Sequence, residues 1–305
     1  MGETRAVLLD LQGQVLKRFG EFPSPEEFSG SVSHVGVAAT DERLEEVQHW
    51  LQPWSGRARL WQTPWVDAAL AGAFLGHPGV LLCTEHWSVY RGCAAKAGPE
   101  SICQALVMAR EPNHRSLSMV HGEGGLEWLS REGLALLDQV GGSSQLRLRR
   151  LLGPHQGERP PLDPMRQRAL AVRASLEELS EYPGPDPASL ALLTRAARRL
   201  SDLLRVLVGR AQLPVRCPAA WWDGRLEGPL WCALENEFRR YLPQLHWRPP
   251  ADDAGRGCAA LIWGQLREEQ RQALRPDAPP PRPHEGVQAL SADAWRQLSR
   301  TTSIG

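Results

Sequence analysis

Long apolar runs are missing from these 305 residues. None approaches the ~20 residues that span a bilayer, and the charged opening does not read as a secretory signal. Charge imbalance is missing too. The 35 basic residues meet 35 acidic ones, which removes the electrostatic basis for a nucleic-acid or membrane partner. Paired cysteines are also absent: Cys83, Cys93, Cys103, Cys217, Cys232 and Cys258 include no CxxC spacing. Neither a zinc site nor a disulfide framework is expected, and the thiols read as reduced core residues of a cytoplasmic protein. What is present is material for a core. The chain is 42 % hydrophobic with 12 tryptophans, enough for one large or two modest domains. Arginine far outnumbers lysine, a trait of GC-rich bacterial genomes.

Strand and helix patterns alternate along the first hundred residues. Arg5 to Lys17 reads as a β-hairpin around a turn with Asp10 and Gly13. His34 to Ala39 and Arg57 to Trp61 read as strands, with a capped amphipathic helix over 40–51 between them. Pro64 then precedes a helix opened by Asp67 and filled with Ala68, Ala69, Ala71 and Ala73, small enough to pack closely on a sheet. Gly76 and Gly79 bracket a turn, and Val80 to Cys83 suit a strand buried on both faces. Beyond residue 100, a strand is expected over Cys103–Arg110. Helices are expected over Leu126–Val140, Leu146–Leu152, Met165–Leu179, Asp186–Arg210, Pro229–Tyr241 and about 255–274, with a strand near Val215–Trp222. Pro276 to Pro283 is too proline-rich to fold compactly, and only Ser291–Leu298 after it suits a short helix. Alternating strands and helices indicate an α/β layer architecture.

Several residues could carry chemistry. Asp67 at a helix start is either a general base or an ordinary helix cap. Glu85 and His86 are either an acid/base pair or surface loop. Glu123, within Gly122-Glu123-Gly124-Gly125 ahead of a helix, is explained by the helix dipole alone. Trp221 and Trp222 either stack on a ligand ring or fill core space.

Taken in order, these landmarks resemble the N-acetylglucosamine kinase and BadF/BadG/BcrA/BcrD-type ATPase family of the actin, hexokinase and heat-shock chaperone superfamily. Asp67-Ala-Ala-Leu-Ala71 resembles its Asp-Ala-x-x-Ala helix, and Pro78-Gly79 precedes the matching strand. Gly122 to Trp128 is similar to its Gly-Asp-Glu-Gly-Ser-x-x-Trp stretch. Pro214 to Ala220 is similar to its adenosine strand, and Gly257-Cys-Ala-Ala-Leu261 to its closing Gly-Ala-x-x-Leu. The resemblance implies a two-lobed ribonuclease H-like (actin-like ATPase) fold with a shortened N-terminal lobe. The first lobe would span residues 1–100, the second 101–275, and a proline-rich tail 276–305.

The same resemblance assigns roles. Asp67 corresponds to the sugar-hydroxyl base, and Gly122, Glu123 and Gly124 to the sugar loop, with glycine where the family has its binding aspartate. Thr4 corresponds to the tail of the first phosphate loop. The strand and metal-organising aspartate that precede it in the family have no counterpart here, either from true shortening or from a start codon further upstream. The second phosphate loop, glycine-rich in the family, corresponds to Glu85, His86, Trp87 and Ser88. Ala219 and Ala220 stand where the adenosine strand carries glycines. A tryptophan obstructs backbone approach to phosphate and a glutamate repels it. The implied protein is thus a degenerate member: a pseudokinase that binds a sugar-like ligand or a partner, with no cofactor. Two alternatives stay open, an active amino-sugar kinase using ATP and Mg2+ and a partner-binding scaffold. A homodimer through the second lobe is expected, with Trp231 and Trp247 as interface aromatics. The tail is expected to be dispensable for folding.

Overall fold

A computed structural model describes residues 6–9, 15–19, 24, 26, 32–39, 50–90, 100–113, 115–139, 164–181, 186–273 and 288–289. Thr4, the expected helix over 146–152, the stretch 276–283 and the expected helix over 291–298 lie outside these. So does the expected helix over 40–51, except for Trp50 and Leu51. The chain divides into two compact units: Met1–Gly79 with Arg110–Ser116 and Pro250–Gly305, and Val80–Ala109 with Leu117–Pro249. This division differs from the expected break at residue 100. Strand pairing is the reason, because the segment after Gly79 hydrogen-bonds into the second unit's sheet.

In the first unit, β1 (Ala6–Leu9) and β2 (Val15–Phe19) form an antiparallel hairpin, as their turn residues indicate. Strands β3 (His34–Ala39) and β4 (Arg59–Pro64) pair in parallel from His34 with Arg59 to Ala39 with Pro64. Alternation along β4 sends neighbours to opposite faces. Leu60 packs with Val35, Val37, Leu51 and Trp54, while Trp61 packs with Ala68, Ala71, Cys258, Leu261 and Ile262. Those last residues lie on α1 (Trp65–Phe74) and α6 (Ala254–Ala273), the last helix among the described residues. The two helices touch backbone to backbone. A Cβ on Gly72 would come within 2.1 Å of the Asp253 carbonyl, and one on Gly257 within 1.8 Å of the Ala68 carbonyl. Glycine and alanine are therefore required by the close approach, not by helix propensity.

The tail departs from expectation. Gln288 and Ala289 form β10, which pairs antiparallel with β4 opposite Gln62 and Trp61. A segment expected to lie free of the core thus covers an edge of the first sheet.

The second unit carries a five-stranded sheet in the order β7, β6, β5, β8, β9. These are Ser116–His121, Glu100–Arg110, Gly79–Tyr90, Cys217–Trp221 and Leu245–Trp247. Strands β7 and β9 were not expected; both are short and partly exposed, which weakens their apolar pattern. Helices α2 (Leu126–Gln139), α3 (Pro164–Glu181), α4 (Pro187–Arg210) and α5 (Gly228–Tyr241) complete the unit. Asp186 caps α4 by accepting from the Ser189 N–H at 2.8 Å, ahead of Pro187 in the first turn. Leu193, Ala196, Ala197, Leu200 and Leu204 form its buried stripe.

Trp231 and Trp247 are corrected from interface to core. Trp231 is 7 % exposed, Trp247 packs on the same cluster, and the Phe238 and Trp247 rings stack at 4.4 Å. Parallel pairing of β9 with β8 carries Trp247 over α5, where burying its ring is more favourable than exposing it. Trp128 is also a buried residue of its helix, with the Arg195 guanidinium 4.9 Å above the ring.

Candidate functional site

The second unit's sheet aligns the ends of β5 and β8. Val80 pairs with Ala219, Leu81 with Ala220 and Leu82 with Trp221. The Trp222 N–H then donates to the Leu82 carbonyl at 2.7 Å. One residue later, Asp223 turns its carboxyl back onto β5. Its Oδ1 accepts from the Thr84 N–H and the Thr84 hydroxyl, both at 2.9 Å. Its Oδ2 accepts from the Glu85 N–H at 2.5 Å and from the Cys83 thiol at 2.9 Å. The Trp221 indole N–H donates to Thr84 Oγ1 at 3.2 Å. An indole nitrogen can only donate, so the hydroxyl proton is directed at Asp223.

Burial pushes the Cys83 thiol well up from its ordinary range, and the Asp223 charge adds to the effect. Cys83 therefore stays protonated and acts as a donor, not a nucleophile. Glu85 is turned toward Arg173, whose Nη1 donates to Oε1 at 2.9 Å. The Arg173 Nε donates to Glu177 at 3.1 Å, and its guanidinium lies 5.4 Å from the Trp221 ring centroid. Four donors thus converge on one carboxyl, beside a half-buried ion pair.

The strand does not stop there. β5 runs through Glu85, His86, Trp87 and Ser88 to Tyr90, where a loop had been expected. Aromatic and β-branched residues with no glycine favour continued extension, and β6 supplies a neighbouring strand.

The Gly122–Gly125 turn occupies another corner of the same unit, between β7 and α2. Glu123 pairs with Arg199 at 2.8 Å, and its N–H donates to His121 Nδ1 at 3.0 Å. Gly124 has φ +86, and a Cβ there would meet Leu200 at 3.0 Å, so glycine is required. A Cβ on Gly125 would come within 2.7 Å of the Ala105 N and 3.4 Å of the Thr84 carbonyl, so the turn sits close to the Asp223 cluster. Gly122 is exposed with open space around it.

Asp67 lies in the first unit. It sits in the first turn of α1, after the N-cap Pro64, where the helix dipole favours a carboxylate. Burial lowers the pKa of nearby Arg110, and the Asp67 charge opposes that fall. Arg110 and Glu111 are 5 % and 2 % exposed, two charged groups buried in the same unit as Asp67.

The structure places Ala219 and Ala220 opposite Val80 and Leu81, several residues before Glu85 on the same pair of strands, and sets Gly122, Glu123 and Gly124 in the same unit. Only the backbone of His86, Trp87 and Ser88 is described. Asp223 was missed by sequence reasoning. Its signal was faint: one acid between Trp222 and Gly224, directly after a strand.

No protein-family model matches the chain, and no curated protein does either. Solved structures are similar in fold. A candidate N-acetylglucosamine kinase from Porphyromonas gingivalis matches with a TM-score of 0.54 at 12 % identity, over 85 % of this chain and 94 % of that one. A candidate N-acetylglucosamine kinase from Chromobacterium violaceum gives 0.48 at 19 % identity, over 76 % of each chain. Component A of the (R)-2-hydroxyglutaryl-CoA dehydratase of Acidaminococcus fermentans gives 0.35 at 12 %, over 71 % of this chain and 73 % of that one. The fold is ribonuclease H-like. At such identities the likeness establishes the fold, while chemistry must be argued from the site.

Nucleotide-using members of this fold need backbone N–H groups on phosphate and carboxylates on Mg2+. The end of β5 does not fit that demand. The Thr84 and Glu85 N–H groups are already given to Asp223, and a second carboxyl, Glu85, stands beside them. No group of three or more His, Cys, Asp or Glu side chains is gathered as a metal site among the described residues.

Proposed function

We propose that the chain is a degenerate sugar-kinase-like protein, a cytoplasmic pseudokinase that binds a sugar-like small molecule without using nucleotide. One observation carries the reading: the amide, hydroxyl and thiol donors at Cys83–Glu85, leading into the Glu85–Ser88 stretch that corresponds to the second phosphate loop, are taken by the chain's own Asp223. The sugar loop is degenerate in a different way. Gly122 offers no carboxyl for sugar hydroxyls, which leaves Glu123 as the acid of that turn through which a polyol would be recognised. The alternative of a partner-binding scaffold rests on tryptophans forming an interface, and the burial of Trp54, Trp61, Trp128, Trp221 and Trp231 favours the ligand-binding reading.

Calorimetry with ATP and Mg2+ tests the claim. No binding tighter than about millimolar, or about 4 kcal/mol, is expected. Low-micromolar binding, with phosphorylation of an amino sugar that is lost in Asp67→Asn, would overturn it and establish the active-kinase alternative. A parallel titration with N-acetylglucosamine, read on wild type and Glu123→Gln, checks the sugar arm. Binding weakened by the substitution supports the assignment, and unaltered binding removes Glu123 from the site.

A further inference from the structure

We infer that the Cys83–Glu85 stretch of β5 is an oxyanion seat held shut from inside by Asp223, and that withdrawing this carboxyl exposes a site for an inorganic oxyanion of the phosphate or sulfate class. The inference rests on the reading that wild type holds no nucleotide phosphate there.

The donors define the chemistry. Two successive backbone N–H groups, from Thr84 and Glu85, point at one carboxyl together with the Thr84 hydroxyl and the Cys83 thiol. Successive amides aimed at one point make an anion-binding concavity. A carboxyl presents two oxygens on one edge, as does a tetrahedral oxyanion, so the same four donors suit either. None of these groups is a cation, so recognition is of oxygen lone pairs at close range. Among the described residues, the cation beside the cluster is Arg173, neutralised by Glu85 at 2.9 Å and by Glu177 at 3.1 Å.

The turn that carries Asp223 is itself pinned. Trp222 is bonded to Leu82, and a Cβ on Gly224 would fall 1.9 Å from the Trp221 ring. The occupant is thus presented by a fixed turn. It cannot leave without disturbing the β8 end, which is why it excludes an external anion at ordinary concentrations. Thr84, at 2 % exposure, is reached only once that carboxyl is gone.

The test uses full-length wild type, Asp223→Ala, Asp223→Asn and Asp223→Ala with Glu85→Gln. Inorganic phosphate is the probe, titrated at constant ionic strength while the Thr84 and Glu85 amide resonances are followed. Wild type and Asp223→Asn, which both keep an occupant, are expected to show no saturable shift. Asp223→Ala should saturate with a Kd of roughly millimolar. Adding Glu85→Gln should tighten that several-fold, because it removes a repelling charge and frees Arg173.

A folded Asp223→Ala that does not saturate overturns the seat, and so does wild type binding phosphate equally well. Should Asp223→Ala fold poorly, its Tm in phosphate and sulfate is compared with its Tm in chloride. Gly257→Ala, a remote destabilised variant, subtracts the general salting effect. Stabilisation beyond that of Gly257→Ala supports the seat; equal stabilisation overturns it. ATP and Mg2+ bound tightly by wild type would defeat the pseudokinase reading whichever way the phosphate arm falls, so the two failures are distinguishable.

Discussion

Two corners of the second unit treat their polar groups in opposite ways. At Cys83–Glu85 on β5, the Cys83 thiol, the Thr84 N–H and hydroxyl and the Glu85 N–H all end on Asp223, in a setting where Thr84 is 2 % exposed. At the Gly122 turn, Gly122 has open space around it, and the Glu123–Arg199 pair is half-exposed, at 44 % and 52 %. An exposed ion pair is worth little, typically below about 1 kcal/mol. A buried cluster that loses its acceptor leaves donors unsatisfied and is costly. The difference teaches where the chain has committed itself: the first corner is part of the fold's stability, while the second is free to meet a ligand.

Breaking the first corner should have the largest effect. Asp223→Ala strands the buried amides of Thr84 and Glu85 and is expected to cost about 4 kcal/mol in urea denaturation, at ~1–3 kcal/mol for each unsatisfied donor. Asp223→Asn, keeping one acceptor oxygen, should cost roughly half as much. A loss below about 1 kcal/mol for the alanine variant would erase the contrast. The first unit supplies a yardstick. Gly257→Ala forces a methyl against the Ala68 carbonyl and should cost about 3 kcal/mol by overpacking.

The second corner should respond less, and unevenly. Gly124→Ala meets both a positive φ and Leu200, so about 1 kcal/mol or more should be lost. Gly122→Ala should fall within about 0.5 kcal/mol of wild type. An equal cost at both positions would show that the turn is not open where the geometry leaves it open.

A further contrast is one of pH. Burial raises Cys217 and Cys258 from 9.0 to about 11. The folded state therefore holds two protons that the unfolded chain gives up above pH 9. Stability from these thiols is fully present below pH 9 and declines as pH rises from 9 to about 11. Denaturation midpoints should fall across that window, and less steeply in Cys258→Ala. A flat profile would mean the thiols ionise alike in both states.

Much of the fold was legible in the sequence, for physical reasons that can be named. The alanines after Asp67 announced a helix that packs closely. Gly257 marked its partner without showing that the last helix returns to the first unit, since a chain's route is not encoded in local periodicity. Val80 to Cys83 read correctly as a buried strand, yet its extension to Tyr90 went unread because the segment was expected to form a loop. β10 was hidden by the prolines before it. The candidate residues were legible as residue types but not in arrangement. Asp67, Glu85 and Glu123 stand out as acids at element ends. Asp223 does not, because its role depends on the parallel pairing of β8 with β5, a contact between residues about 140 positions apart. Trp231 and Trp247 misled for the opposite reason: a tryptophan looks the same in sequence whether it fills a core or faces a partner.

Amide hydrogen exchange at Thr84 and Glu85 tests most directly whether the phosphate corner is closed by the protein itself. In wild type both amides should be protected to the same degree as Leu82 in the body of β5. In Asp223→Ala they should exchange at least roughly tenfold faster than Leu82 in the same molecule, a local loss of about 1.4 kcal/mol beyond any global destabilisation. If the Thr84 and Glu85 amides keep pace with Leu82 in both proteins, Asp223 is not what closes this site, and the account fails.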